Sequence, residues 1–332
     1  MMTQAVSELN SILQSFKIKA SCVDFKQSDN YFYYDLKLNP AAKINDISKF
    51  GNEISLALKT PGKPHLKVIH HEGVIRLEFV SPREKPLNLF DYFTNDDIPN
   101  GAINCLLGQT VDGQPLWIDI EKNPHMLIAG TTGSGKSTLL HNIIANLFNY
   151  NDVDLFLVDP KQIEFSEYEK INKCTVINSF SETMELLASM LELMEFRYSL
   201  ISSGFTIDSM KPVVIIIDEF ADLSMQDRDD VFYASLCRLA QKCRAARIHI
   251  ILATQRPSVN VINGSIKANF PARIACRVAS HIDSKVILDA KGAENLLGRG
   301  DAFIRDNFRF MDRFQIAYTD AKEVCKYFGN NG

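Results

Sequence analysis

The chain has 332 residues, of which 46% are apolar, enough for a proper hydrophobic core in one large or two medium domains. Its longest apolar run, Val213–Ile217, is strand-sized and far short of the roughly 18 residues of a membrane span, and the first 25 residues lack the pattern of a secretory leader. The net charge of −4 hides an asymmetry: residues 232–313 carry fourteen Lys/Arg against six Asp/Glu, a balance of +8, so the remainder carries −12, and a polyanionic partner gains weight.

Residues 1–97 hold no catalytic signature and predict a small α+β domain. A short helix is expected over 7–16, a strand over 31–38, helical spacing over 44–58, and strands over 65–71 and 73–80. His65, His70 and His71 lie close in sequence, but strand spacing puts His70 and His71 on opposite faces, which disfavours a metal site. The segment 81–89 reads as an exit from this domain, and the tract 96–101 as a turn into the next.

From residue 98 onward, short apolar strands alternate with helices, as in a mainly parallel sheet buried on both faces. Strands are expected over 126–129, 153–158, 213–217, 249–253 and 273–278. The first of them runs into Gly130, Thr131, Thr132, Gly133, Ser134, Gly135, Lys136, Ser137 and Thr138, followed by apolar residues at helical spacing. Strand, glycine-rich loop and helix in that order make a phosphate-binding loop of the Walker A kind. Its backbone amides and the helix N-terminus suit phosphate oxygens. Lys136 is placed to reach the β- and γ-phosphates of ATP, and Ser137 to ligate Mg²⁺.

The strand 213–217 ends in Asp218 and Glu219, a Walker B pattern. Ligands of open α/β sheets bind at the carboxyl ends of strands. Asp218 is therefore expected to hold Mg²⁺ through water, and Glu219 to act as base toward the attacking water. Gln255 ends the next apolar strand and is expected to sense the γ-phosphate or the water. The seven cysteines form no C-x-x-C pair, which argues against disulfides or zinc and for a reducing, cytoplasmic setting.

With these strings in order, and with VDPKQIEF at 158–165, IIIDEFADL at 215–223, LAQKCRAARIHIILATQRPSVNVINGSIKANFPARIA at 239–275 and SHIDSKVILDAKGAENLLGRGD at 280–301, the chain resembles the FtsK/SpoIIIE family of DNA translocases. The resemblance is strong over 98–332 and covers 1–97 only in length and strand–helix content. It implies a RecA-like P-loop NTPase motor at 98–332 preceded by the small domain. It also implies a homohexameric ring around double-stranded DNA, with ATP between subunits and an arginine supplied by a neighbour. The matching arginine is Arg244, with Arg197 as the alternative; Arg247 and Arg273 are expected to face solvent or pair with acids. Contacts to the DNA backbone would come from Arg256, Lys267, His281 and Lys285, where His281 stands in place of the family's lysine. No counterpart of the family's membrane-spanning N-terminus or winged-helix module is legible, so the expectation is a stripped-down motor serving a mobile element and reaching a membrane only through a partner. A protein-secretion ATPase of the same superfamily is the alternative reading.

Overall fold

The computed structural model describes residues 2–40, 42–81, 87–93, 103–150 and 152–329. The chain divides into two compact units: Met1–Pro86 with Gln109–Pro115 and Asn295–Leu297, and Leu87–Gly108 with Leu116–Glu294 and Gly298–Gly332. The boundary expected at residue 97, the turn at 96–101 and most of the exit at 81–89 lie outside the described residues.

The first unit contains α1 (Met2–Ser15), β1 (Ala20–Gln27), β2 (Tyr31–Leu38), α2 (Ile44–Lys49), α3 (Gly51–Leu58), β3 (His65–Ile69) and β4 (Val74–Val80), and its antiparallel sheet has the order β1-β2-β4-β3. Strand β2 is buried on both faces. Phe32, Tyr34 and Leu36 join Leu9, Leu13 and Ile54 in one cluster, whereas Tyr31 and Tyr33 pack with Val80 and Val111. The single helix expected over 44–58 is instead two. The turn breaks at Phe50, where φ and ψ of −97° and 15° leave the helical region. Arg76 donates to both carboxylate oxygens of Asp35, at 2.8 and 3.0 Å, and stacks 3.7 Å from the Tyr33 ring centroid. This ties β4 to the central strand with a geometry only arginine offers.

The second unit is built on a ten-stranded sheet of order β6-β5-β14-β13-β12-β7-β11-β10-β8-β9. Its strands are β5 (Asn104–Thr110, whose last two residues belong to the first unit), β6 (Pro115–Asp119), β7 (His125–Ala129), β8 (Asp154–Val158), β9 (Thr175–Ile177), β10 (Val213–Ile217), β11 (Ile248–Thr254), β12 (Ala272–Cys276), β13 (Asp301–Arg305) and β14 (Phe310–Ile316). Its helices are α4 (Lys136–Phe148), α5 (Phe180–Ser202), α6 (Phe220–Gln226), α7 (Val231–Lys242), α8 (Gly264–Asn269), α9 (His281–Leu288) and α10 (Ala321–Gly329). The run from β12 to β9 is parallel, and β13 and β14 add antiparallel strands at its flank. All five expected strands are present within two residues of their expected ends. Strands β7, β10 and β11 are buried at every position, which is why they read as continuous apolar runs.

Helix α4 carries buried asparagines, unusual in a helix interior. Asn146 accepts from Leu106 N–H at 3.0 Å and donates to Leu106 carbonyl at 3.2 Å, and Asn142 donates to the carbonyl of Ala317 at 3.3 Å. An amide side chain here closes the backbone of β5 as another strand would, and so fixes the helix into which the phosphate loop runs. Among the described residues, no helix is long and apolar enough to cross a membrane, and all seven cysteines are free thiols.

Two buried histidines lie behind the loop. His125 in β7 accepts from Ile250 N–H at 3.3 Å, and neither ring nitrogen of His249 in β11 has a hydrogen-bond partner. Burial pushes His125 down to about 4, with the nearby Arg244 charge adding to it, and pushes His249 down to about 3, aided by His125. Below about pH 6.5 the unfolded chain takes up protons at these positions and the folded chain does not. Stability should therefore fall as pH drops from about 6.5 toward 4, by up to about 1.4 kcal/mol per pH unit for each histidine. Denaturant titrations at pH 7 and pH 5 check this: His249→Leu should lose less stability between the two than the parent protein. An equal loss would mean that His249 does not report the pH.

Candidate nucleotide site

The phosphate loop leaves β7 after Ala129 and turns into α4 at Lys136. Gly133 and Gly135 have φ of 74° and 110°, a backbone region costly for other residues. A Cβ on Gly135 would lie 2.6 Å from Gly300 N, because the segment before β13 presses on the loop. Gly300 N–H donates to Ser134 carbonyl at 2.9 Å and Thr131 N–H to Arg277 carbonyl at 2.9 Å, so the loop is held from outside. Beside Gly133 nothing lies within 4 Å of a Cβ position, which leaves open space at the tip of the loop.

The parallel register puts Asp218 just beyond β10 and Asp159 just beyond β8, at the same end of the sheet as the loop that leaves β7. Lys136 forms a buried ion pair with the Asp218 carboxylate and donates to its carbonyl at 3.2 Å. Burial pushes the Asp218 carboxyl up, against the pull of the Lys136 charge. Ser137 donates its hydroxyl to Glu164 at 2.8 Å. The His141 ring, 3.6 Å away, and the Ser137 hydroxyl hold the Glu164 carboxyl below its ordinary value despite burial. His141 in turn shares a hydrogen bond of 2.9 Å with the Tyr168 hydroxyl. Glu164 is placed there by Asp159, whose Oδ2 accepts from the N–H groups of Ile163, Glu164 and Phe165 at 2.8 to 3.0 Å. The sequence reading gave Asp159 and Glu164 no role. The signal was present: a carboxylate directly after an apolar strand, the same rule that singled out Asp218.

Glu219 is buried and turned toward the end of β11. It accepts from the Thr254 hydroxyl at 2.6 Å and from Gln255 N–H at 3.0 Å. Gln255 accepts from the Thr132 hydroxyl at 3.1 Å, so its side chain does reach the phosphate loop. Thr254 also accepts from Arg256 N–H at 3.0 Å. Three hard-oxygen side chains (Ser137, Asp218 and Glu164), one ammonium group and a glycine cradle thus converge at the strand ends. Such a set suits a triphosphate with Mg²⁺, which favours oxygen ligands and substrate phosphates.

The arginines separate cleanly. Arg197 is buried in α5 and donates to the carbonyls of Ala246 and Lys211 at 2.6 and 2.7 Å. Arg247 pairs with Glu121 and Arg273 with Asp289. Arg244, on the turn Cys243–Ala246 after α7, is exposed, and its guanidinium makes no hydrogen bond or ion pair among the described residues.

Of the residues expected to meet DNA, Arg256, His281 and Lys285 are exposed, the last two on α9. Lys267 on α8 is half-buried and held in an ion pair by Asp289.

The FtsK/SpoIIIE family profile matches residues 97–211 and 202–259. The chain is 35% identical to the DNA translocase SftA of Bacillus subtilis over 90% of its own length and 34% of that protein. It is likewise 35% identical to the DNA translocase FtsK of Haemophilus influenzae over 87% of its length and 63% of that protein. The chain therefore spans between a third and two thirds of these relatives. Among solved structures it is similar to the pCW3 conjugation coupling protein TcpA, in monomer form with ATPγS, at a TM-score of 0.67 and 22% identity over 98% of this chain and 99% of that one. It is also similar to the cytoplasmic domain of the Thermomonospora curvata type VII secretion ATPase EccC, at 0.61 and 24% over 71% of this chain and 32% of that one. These likenesses establish the fold, a P-loop ATPase core on a mostly parallel sheet.

Proposed function

The chain belongs to the FtsK/SpoIIIE family, and on that premise we propose that it is a cytoplasmic ATPase that moves along double-stranded DNA as a homohexameric ring, gripping the backbone without reading sequence. The observation that carries this reading is the set of Lys136, Ser137, Asp218 and Glu219 at one end of the sheet in a chain whose relatives are named DNA translocases.

The residues divide the work. The amides of residues 130–138 hold the phosphates, with Lys136 neutralising their charge. Ser137 and Asp218 hold the metal, and bound Mg²⁺–ATP would supply a transferable phosphoryl group with its charge already partly offset. Glu219 accepts the proton of the attacking water. The Thr254 hydroxyl and Gln255 N–H hold that carboxylate in position until it is used. Gln255 links the base to Thr132, and Arg256 follows directly in the chain. A DNA contact at Arg256 therefore lies one residue from the hydrogen bonds that hold the base.

Phosphate release with and without linear duplex, paired with displacement of a DNA triplex, tests the reading. Duplex should stimulate turnover, and triplex should be displaced only while ATP is hydrolysed. Glu219→Gln should still bind ATP and duplex but hydrolyse about 10²–10⁴-fold more slowly. Turnover indifferent to duplex, with no triplex displaced, would move the assignment to protein secretion.

A further inference from the structure

We propose that Arg305 joins Lys267, the contact already expected from the resemblance, in binding a phosphodiester of the DNA backbone, and that Asp289 is the resident anion that the phosphate displaces. The inference rests on the duplex-DNA reading above.

Helix α9 starts at a capping box, where Ser280 accepts from Asp283 N–H and Asp283 from Ser280 N–H. His281, Lys285 and Asp289 are then spaced four apart and fall on one face. Two of this row are exposed and basic, and the third, the C-cap residue, is acidic. Three cations converge on it. Arg273 lies 2.5 Å from Asp289 Oδ2, Arg305 3.1 Å from the same oxygen, and Lys267 pairs with the other oxygen.

Arg273 is a fixture. It is buried and also donates to the carbonyls of Phe270, Ile287 and Lys267. Its charge already matches the single charge of Asp289. Lys267 and Arg305, whose side chains are 26% and 29% exposed, are then surplus, and the cluster carries a net +2. A half-exposed surplus of positive charge is satisfied by an outside anion. Arg305 is steadied from behind by the Leu288 carbonyl and by the Phe310 ring, 5.3 Å from its guanidinium carbon. From His281 to Asp289 the row spans about 12 Å, a length over which a duplex offers several phosphates and a lone phosphate only one.

The test is the affinity of a short blunt duplex of arbitrary sequence for the full chain, measured across a salt series. Arg305→Gln should bind about eightfold more weakly at 0.1 M salt, and its log–log salt slope should be shallower by about 0.9, the value of one phosphate contact. Asp289→Asn should bind more tightly. Asparagine accepts the left-handed backbone found at this position (φ 57°), and its amide oxygen can still accept from Arg273, so the substitution adds no backbone strain. Both should hydrolyse ATP without DNA at the parental rate. Lys122→Ala, which removes an exposed cation paired with Asp119 at 3.0 Å, is the reference and should change neither affinity nor slope. A parent protein that binds duplex beside an Arg305→Gln variant with the same affinity and slope overturns the site and leaves the function standing. Asp289→Asn binding no tighter than the parent overturns the displacement. Failure of the parent to bind duplex at any salt concentration overturns the function and this site together.

Discussion

Lys136→Ala is expected to bring ATP turnover to background, a loss on the order of 10³-fold or more, because it removes the cation nearest the transferred phosphate. The same substitution should lower the melting temperature. Lys136 is paired with Asp218, and the two side chains are only 3% and 4% exposed. Breaking a buried pair by removing one partner costs about 3–5 kcal/mol. Burial already pushes the Asp218 carboxyl up, so in the variant it takes a proton and relieves part of this. Each kcal/mol that remains shifts the melting temperature by about 2–4 °C in a domain of this size. The double variant Lys136→Ala/Asp218→Asn isolates the structural role: it leaves no charge stranded, so the melting temperature should largely return. The catalytic role is read from Lys136→Ala alone, held below its melting temperature: parental phosphate release there would make Lys136 a structural cation, and its assignment to the phosphates would fail.

Legibility in the sequence follows burial. Strands β7, β10 and β11 are buried on both faces, so their apolar runs announced the parallel core, and the carboxylates just beyond β10 announced the pocket. The antiparallel flank was missed for a physical reason. Strand β14 carries Arg313, whose guanidinium meets Asp301 of β13 at 2.7 and 2.8 Å, so a buried ion pair interrupts the pattern that a strand should present. Strand β1 is irregular, with its register shifting between Cys22 and Asp24. The helix break at Phe50 was invisible because apolar spacing continues across it through Ile47 and Ile54. Within the site, the string around Asp159 and Glu164 was read for resemblance only. Their role depends on a chain reversal in which one carboxylate collects three backbone N–H groups, and no periodicity encodes that. The charge excess of 232–313 was legible as a sum, but not its internal pairing. Lys267, Arg273 and Arg305 share one aspartate, so three cations in this cluster amount to a surplus of two.

Arg244→Ala is expected to reduce turnover by about 10³–10⁵-fold while ATP still binds, as for an arginine delivered to the transition state by a neighbouring subunit. The resemblance singles out Arg244, and the surroundings of the three other arginines weighed with it support that reading. Arg197 spends its guanidinium on two backbone carbonyls inside the fold, and Arg247 and Arg273 are committed to Glu121 and Asp289. Arg244 alone of these four is exposed without a partner among the described residues, on a short turn rigidly continuous with α7 and β11. In a head-to-tail ring each site would take Lys136 from one subunit and Arg244 from the next. Subunits carrying Arg244→Ala, inactive alone, should therefore regain activity when mixed with subunits carrying Lys136→Ala. In an equimolar ring with free exchange, about one interface in four pairs an intact Lys136 with an intact Arg244. Activity near a quarter of the parental rate is the ceiling, lower if neighbouring sites must fire in concert. Arg197→Ala should behave differently: it frees two buried carbonyls, lowers stability, and is not rescued by mixing. Mixed rings that assemble yet stay at background, or a chain that remains monomeric and hydrolyses ATP at full rate, would rule out an arginine acting across the subunit boundary.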